Sequence, residues 1–188
     1  LFLTPLPTKL AARRRKVPAG WRVESLPFEA SHIAVWRRTE GSEHGAKVLL
    51  VHGWGGDAQQ LLPLAEQLAA AGLEPLLLEL PAHGHAGGWR SNLVQWTRAL
   101  FAVSSRHGPW AAVVGHSLGA RALAHALARG LPAERAALIA AAPPPRQFLG
   151  WFAQAIGLGD SLAERMARRI EAREGVAMQR FEPEWIAR

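Results

Sequence analysis

The chain contains no cysteine. That absence excludes disulfides, thiolate nucleophiles and Cys-based zinc sites together. Aspartate is almost missing too: Asp57 and Asp160 are the only two. No apolar run approaches the roughly 20 residues needed to span a bilayer, so no transmembrane segment is expected. There is no internal repeat, no low-complexity tract and no signal-peptide pattern, and the default location on that ground is cytoplasmic. What remains is 188 residues, 49% hydrophobic and 20% charged, the composition of a globular domain. That length is about one domain on a prior of roughly 150 residues. The chain opens on Leu1 rather than Met, which fits a start other than that of its gene.

The formal charge of +7 is unevenly placed. Residues 1–22 hold six cations (Lys9, Arg13, Arg14, Arg15, Lys16 and Arg22) and no acid. Residues 23–160 hold ten basic and ten acidic residues, and 161–188 hold six and five. The excess therefore belongs to a basic N-terminal arm, residues 1–20, read as solvated or partly disordered. Contact of that arm with acidic lipid or nucleic acid is the competing reading, and no nucleic-acid partner is expected.

The hydrophobic pattern alternates strands with helices. Trp21–Phe28 and Ser31–Arg37 read as an antiparallel hairpin, followed by a polar turn at Thr39–Gly45. Ala46–Val51 and Glu74–Leu80 are short apolar runs that suit strands buried on both faces. Between them Asp57 and Gln60 suggest a capping box for a helix that stops at Gly72, with Pro63 in its first turns. Asn92–His107 has helical spacing, Trp110–Val114 is a third buried strand, and Leu118–Arg129 is helical. Ala136–Ala142 is a fourth apolar segment, weakened as a strand by its alanines. Two amphipathic helices follow, about Gln147–Ile156 and Ser161–Glu174, the second with a capping box from Ser161 and Glu164. Strand–helix repetition of this kind implies an α/β fold, a mostly parallel sheet with helices on both faces.

Chemistry concentrates in two glycine-rich turns. Gly115-His116-Ser117-Leu118-Gly119 lies directly between the strand WAAVV and a helix, the setting of a nucleophile elbow. So sharp a strand-to-helix turn holds its central residue at positive φ. A Cβ two residues before or after Ser117 would clash, hence the glycines. Ser117 Oγ is lifted above the sheet edge at a helix N-terminus, whose dipole favours developing negative charge. His52-Gly53-Trp54-Gly55-Gly56 follows the strand AKVLLV. A glycine-rich turn there lets a backbone N–H face the site. An acyl-transfer oxyanion needs two such donors, here expected to be the Leu118 and Trp54 amides. The turn lacks the Lys-Ser/Thr of a phosphate-binding loop and the full dinucleotide-binding pattern. His52 is expected to brace the turn rather than to move protons.

The HGWGG turn and GHSLG elbow together resemble the α/β-hydrolase superfamily, in its small esterase-like branch. The loop LELPAHGHAGG, Leu78–Gly88, resembles that branch's loop after the next strand, with Glu79 and Leu80 where an aspartate is more usual. The resemblance runs from about Trp21 to Ala142. It implies a hydrolase core at 21–145 and a helical lid at 146–188, in which Phe148, Trp151, Phe152, Ile156 and Leu158 offer apolar surface to an acyl or alcohol group, or simply pack the lid. Trp89 and Trp96 read as core.

A triad on this pattern runs Ser, acid, His. After Ser117 the only histidine is His125, inside the elbow helix and pointing away from the site. His83 and His85 precede the serine and read as loop histidines. Asp57 and Asp160 are explained as helix caps. The acid and histidine are therefore expected beyond residue 188, in a chain truncated at its C-terminus; the missing strands and helices would occupy roughly 60–100 residues at about 30 per strand–helix unit. The resemblance implies a serine hydrolase cleaving a carboxylic ester of a small acyl substrate, with Ser117 as nucleophile and no cofactor or metal. A thioesterase, a serine aminopeptidase and a non-catalytic hydrolase-fold binder are the alternatives.

Overall fold

The computed structural model describes residues 3–5, 10–12, 14–40, 45–157 and 159–186. Lys9 and Arg13 of the arm, most of the polar turn at 39–45, Leu158 and the side chain of Asp160 lie outside the described part. The chain divides into two compact units, residues 1–141 and 142–188.

The first unit is built on a six-stranded sheet. Its strands are β1 (Trp21–Phe28), β2 (Ser31–Arg38), β3 (Lys47–Val51), β4 (Glu74–Glu79), β5 (Ala112–His116) and β6 (Ala136–Ile139). They lie in the order β1, β2, β4, β3, β5, β6. β1 and β2 form the expected hairpin, from Trp21 opposite Arg38 to Phe28 opposite Ser31. β2 meets β4 antiparallel, and β4, β3, β5 and β6 run parallel. The apolar runs KVLLV and EPLLLE occupy the two central positions, where both faces are covered, and their residues are nearly all buried.

Three helices cover this sheet: α1 (Leu62–Ala70), α2 (Leu93–His107) and α3 (Leu118–Ala128). Alternation along β3 sends Val48 and Leu50 to one face, where they form a core with Trp21, Trp36, Leu77 and Ala65 of α1. Leu49 and Val51 point the other way and are also fully buried. On that face a Cβ at Gly115 would lie 2.8 Å from Leu123 of α3, so α3 presses directly on β5. The parallel sheet with helices on both faces and an antiparallel N-terminal pair is the fold class the pattern predicts.

Several local expectations need correction. The third strand is shifted to Ala112–His116 because His116 pairs with Ile139 of β6. Trp110 makes only an isolated bridge to Ala133 and is instead a core anchor, its indole N–H donating to Ser104 Oγ at 2.7 Å. Asp57 does cap, but its Oδ1 accepts the Gln59 N–H at 3.0 Å. The chain there enters a 3₁₀ turn, Ala58–Leu61, which brings the second amide rather than the third to the cap. Pro63 sits in the first turn of α1, where its missing N–H costs nothing. Trp96 is core, whereas Trp89 is exposed by 53%.

The basic arm is also not simply solvated. Leu3 C=O accepts the Ser91 N–H at 2.9 Å. Ala12 is buried, Val17 packs on the core, and Lys16 C=O accepts a bond from the Gln59 amide side chain. Arg15 pairs with Asp57 at 3.0 Å. The arm's few apolar residues supply the contact area that its charge count hides.

The second unit consists of α4 (Pro145–Ala155), α5 (Asp160–Glu174), a 3₁₀ turn at Met178–Phe181 and α6 (Pro183–Ile186). α4 packs on α5 and buries Leu149 and Ala153, while Phe148, Trp151 and Ile156 are exposed. Glu171 ties the unit together, taking the Arg146 guanidinium at 3.3 Å and the Met178 N–H at 2.8 Å. The capping box from Ser161 and Glu164 does not form. α5 begins one residue earlier, with Gly159 at the cap and no side-chain bond, so Ser161 already lies inside the first turn.

Candidate functional site

The carboxyl ends of β3, β4 and β5 carry every polar group of interest. At the end of β5 the chain turns through Ser117, at φ 53° and ψ −119°, straight into α3. A serine holds such a conformation only where its surroundings impose it. Here the Ser117 N–H donates to Ile139 C=O at 2.9 Å, and its C=O accepts the Arg121 N–H at 3.2 Å. Both glycines of the elbow are sterically required, although they meet different neighbours. A Cβ at Gly115 would come 2.8 Å from the backbone of Ala120; one at Gly119 would strike the carbonyl oxygens of Val51 and His52. Leu118 is the first residue of α3, so its N–H has no partner within the helix. His116 is exposed at the strand end.

The turn after β3 meets this elbow. A Cβ on Gly53 would come 3.0 Å from the Cβ of Ser117 and 3.3 Å from Nδ1 of His116. The two glycine-rich motifs, 62 positions apart from Gly53 to Gly115, are thereby brought into contact.

Hydrogen bonds account for most of the turn's amides. Gly56 N–H closes it onto Gly53 C=O at 3.0 Å. Gly55 N–H donates to His83 Nε2 at 3.1 Å. Among the described residues, the Trp54 N–H makes no hydrogen bond. His52 is fully buried, and Leu80 N–H donates to its Nε2 at 3.2 Å. A neutral imidazole that accepts at Nε2 carries its proton on Nδ1, and that proton goes to Gly53 C=O at 2.7 Å. Burial pushes the His52 pKa below the ordinary histidine value; the Gly53 carbonyl and the charges of Glu79 and Asp57 oppose this without reversing it. His52 braces the turn as a neutral ring.

That brace belongs to a cluster of four rings with Trp54, His83 and Trp96. Trp54 stacks on Trp96 with centroids 5.9 Å apart and meets His83 edge-on at 5.1 Å. His52 touches His83 and Trp96 at 5.1 and 5.8 Å. Trp96 is fixed in turn by its N–H bond to Ser91 Oγ at 2.7 Å.

Glu79 is the residue that sequence reasoning undervalued. It ends β4, is fully buried, and serves both neighbouring turns. Its Oε1 accepts the Ala58 N–H at 3.3 Å; its Oε2 accepts the His85 backbone N–H at 2.7 Å and the His85 Nδ1 at 3.0 Å. Burial alone would raise its pKa, but the His85 bonds outweigh that and hold the carboxyl below the usual range. The signal was present in the sequence: a lone charge in the otherwise apolar run PLLLEL needs buried partners.

No described side chain hydrogen-bonds the Ser117 hydroxyl. His125 is buried in α3, its Nδ1 3.3 Å from Thr97 Oγ1, as its place in the helix implied. His85 faces β2, where its ring meets Trp36 edge-on at 5.5 Å and its C=O takes a bond from His32. β4 and β3 therefore separate it from the elbow. No group of three or more metal-ligating side chains occurs among the described residues, and no described helix is long and apolar enough to cross a membrane.

Solved structures share this fold. A membrane phospholipase A described as a bacterial virulence factor is 22% identical with TM-score 0.61, over 81% of this chain and 48% of that one. An esterase of Pyrococcus furiosus is 18% identical with TM-score 0.61, over 86% and 64%. The thioesterase domain of the curacin biosynthetic pathway is 20% identical with TM-score 0.57, over 80% and 65%. The chain thus spans about half to two thirds of the length of these structures. No curated protein matches it. The sequence model of the alpha/beta hydrolase family matches residues 48–188, which cover β3 to α6 and both glycine-rich turns. The chain belongs to the alpha/beta hydrolase family.

Proposed function

We propose that this chain carries the nucleophile and oxyanion hole of a serine hydrolase that cleaves carboxylic esters. The observation that supports the reading is the approach of Gly53 to Ser117, which brings the turn containing Trp54 against the strained serine at the head of α3. Ser117 Oγ attacks the acyl carbon, and the Trp54 and Leu118 N–H groups receive the oxyanion. Each such donor is worth about 3–4 kcal/mol in the transition state. The hydroxyl proton passes to a histidine oriented by a carboxylate, both contributed from beyond residue 188. That histidine returns the proton to the leaving alkoxide, and water then releases the acid from the acyl-enzyme. The solved structures of similar fold include an esterase and a thioesterase domain, and the same two donors serve an ester or a thioester carbonyl.

Hydrolysis of a series of p-nitrophenyl acyl esters by the full-length protein tests the reading. Turnover that Ser117→Ala abolishes supports it, and turnover that survives that substitution refutes it.

A further inference from the structure

We propose that His83 is a positioning residue of the oxyanion turn, acting as a hydrogen-bond acceptor that claims the Gly55 N–H and so leaves the Trp54 N–H to face the reacting carbonyl. This inference rests on the assignment of Ser117 and Trp54 above and adds a residue to it.

The geometry fixes the role of each ring atom. The Gly55 N–H donates to His83 Nε2 at 3.1 Å, so that nitrogen carries no proton. The proton of the neutral ring is then on Nδ1, 2.9 Å from Pro81 C=O, which can only accept. His83 is 1% exposed, and its ring is held at 5.1–5.2 Å by Trp54, His52 and Trp96. The acceptor is therefore placed by packing before any substrate arrives.

The turn contains three consecutive amides, Trp54, Gly55 and Gly56, and they need sorting. Gly55 is at φ +71°, a conformation glycine adopts freely, so the local backbone has little stiffness of its own. Gly56 N–H is held by Gly53 C=O, and that same carbonyl is held by His52 Nδ1. With Gly55 N–H held by His83, two of the three amides are committed. Two histidines in the same tautomer, from the ends of β3 and β4, clamp the turn from both sides. His52 fixes the Gly53–Trp54 peptide through its carbonyl, while His83 fixes the next peptide through its N–H. Both peptide planes next to the Trp54 Cα are thereby pinned, and the direction of the Trp54 N–H follows.

His83 lies on the loop after β4, in the segment Pro81-Ala82-His83-Gly84-His85, and reaches the turn across the end of the neighbouring strand. The first histidine of this HGH pair thus serves the oxyanion turn. The second, His85, serves Glu79 instead.

The test uses the full-length protein with two variants and one spectrum. Long-range ¹H–¹⁵N correlation of the histidine rings in the wild type is expected to show His83 protonated at Nδ1 and bare at Nε2. His83→Phe keeps a ring among Trp54 and Trp96 but removes the acceptor. His83→Gln restores an acceptor at about the position of Nε2. The rate of Ser117 modification by a fluorophosphonate should fall by roughly tenfold or more in His83→Phe, since misdirecting one oxyanion donor forfeits part of its ~10²–10³-fold effect. His83→Gln should recover most of it, and in ester hydrolysis the loss should appear in kcat with KM little changed. An Nε2-protonated His83, or a His83→Phe variant that labels at the wild-type rate, overturns the proposal. If Ser117 fails to label in the wild type, the oxyanion reading falls and with it the purpose of the clamp; the ring spectrum, which needs no activity, tells that failure from a misassigned His83.

Discussion

Gly119 lies so close to the carbonyl oxygen of His52 that no Cβ fits between them. The first turn of α3 is thereby pressed onto the exit of β3, which is how the two glycine-rich turns come together. Gly119→Ala should destabilise the protein by about 2–3 kcal/mol, the usual cost of overpacking a rigid contact. Gly150, inside α4, has no described atom within 4 Å of its would-be Cβ. There the same substitution should stabilise by about 0.5–1 kcal/mol through helix propensity. Urea unfolding of the two variants checks the opposite signs.

Glu79→Ala should destabilise by about 3 kcal/mol or more. The substitution strands the Ala58 and His85 amides and the His85 ring in a buried place, and a lost partner there costs more than the bond was worth. Chemical denaturation read by tryptophan fluorescence measures it.

Acid should destabilise the fold in two stages. Burial lowers the pKa of His52 and of His107, so the folded state refuses a proton that the unfolded state accepts. Above the ordinary histidine value of 6.5 both states are neutral and nothing changes; as pH falls below it, stability declines until the folded pKa is passed. Glu79 acts lower down. Its carboxyl is held below the ordinary 4.5, so its contribution is complete above that value and is lost as pH falls beneath it. His107 is only 6% exposed, beside Glu24 and Lys47, and among the described residues its Nε2 has no hydrogen bond. His107→Gln should reduce the upper stage, leaving the part due to His52, and should not touch the lower one, seen in urea midpoints between pH 7 and 5.

Asp57→Ala should cost about 1–2 kcal/mol as a lost helix cap. Arg15→Ala, which removes only its half-exposed ion partner, should cost less than about 1 kcal/mol. Thermal melts of the two single variants separate the contributions.

The parallel core was legible because Lys47–Val51 and Glu74–Glu79 are apolar on both faces, and the elbow because strand, Gly115, Ser117 and Gly119 follow one another without a gap. Local periodicity could not report what happens across strands. The arm's docking depends on Ala12 and Val17 meeting the core and on Arg15 reaching Asp57, 42 positions away. The work of Glu79 and His83 depends on amides at Ala58 and Gly55 that belong to another strand's exit. The capping box at Ser161 failed for a smaller reason: a helix that starts one residue early takes its cap inside the first turn.

The central claim is that Ser117 is an activated nucleophile. Incubation of the full-length protein with a fluorophosphonate, followed by intact-mass analysis and peptide mapping, tests it most directly. The account predicts a single adduct on the peptide containing Ser117, absent from a folded Ser117→Ala variant. An adduct that persists in that variant, or no adduct on the folded wild type, would contradict it.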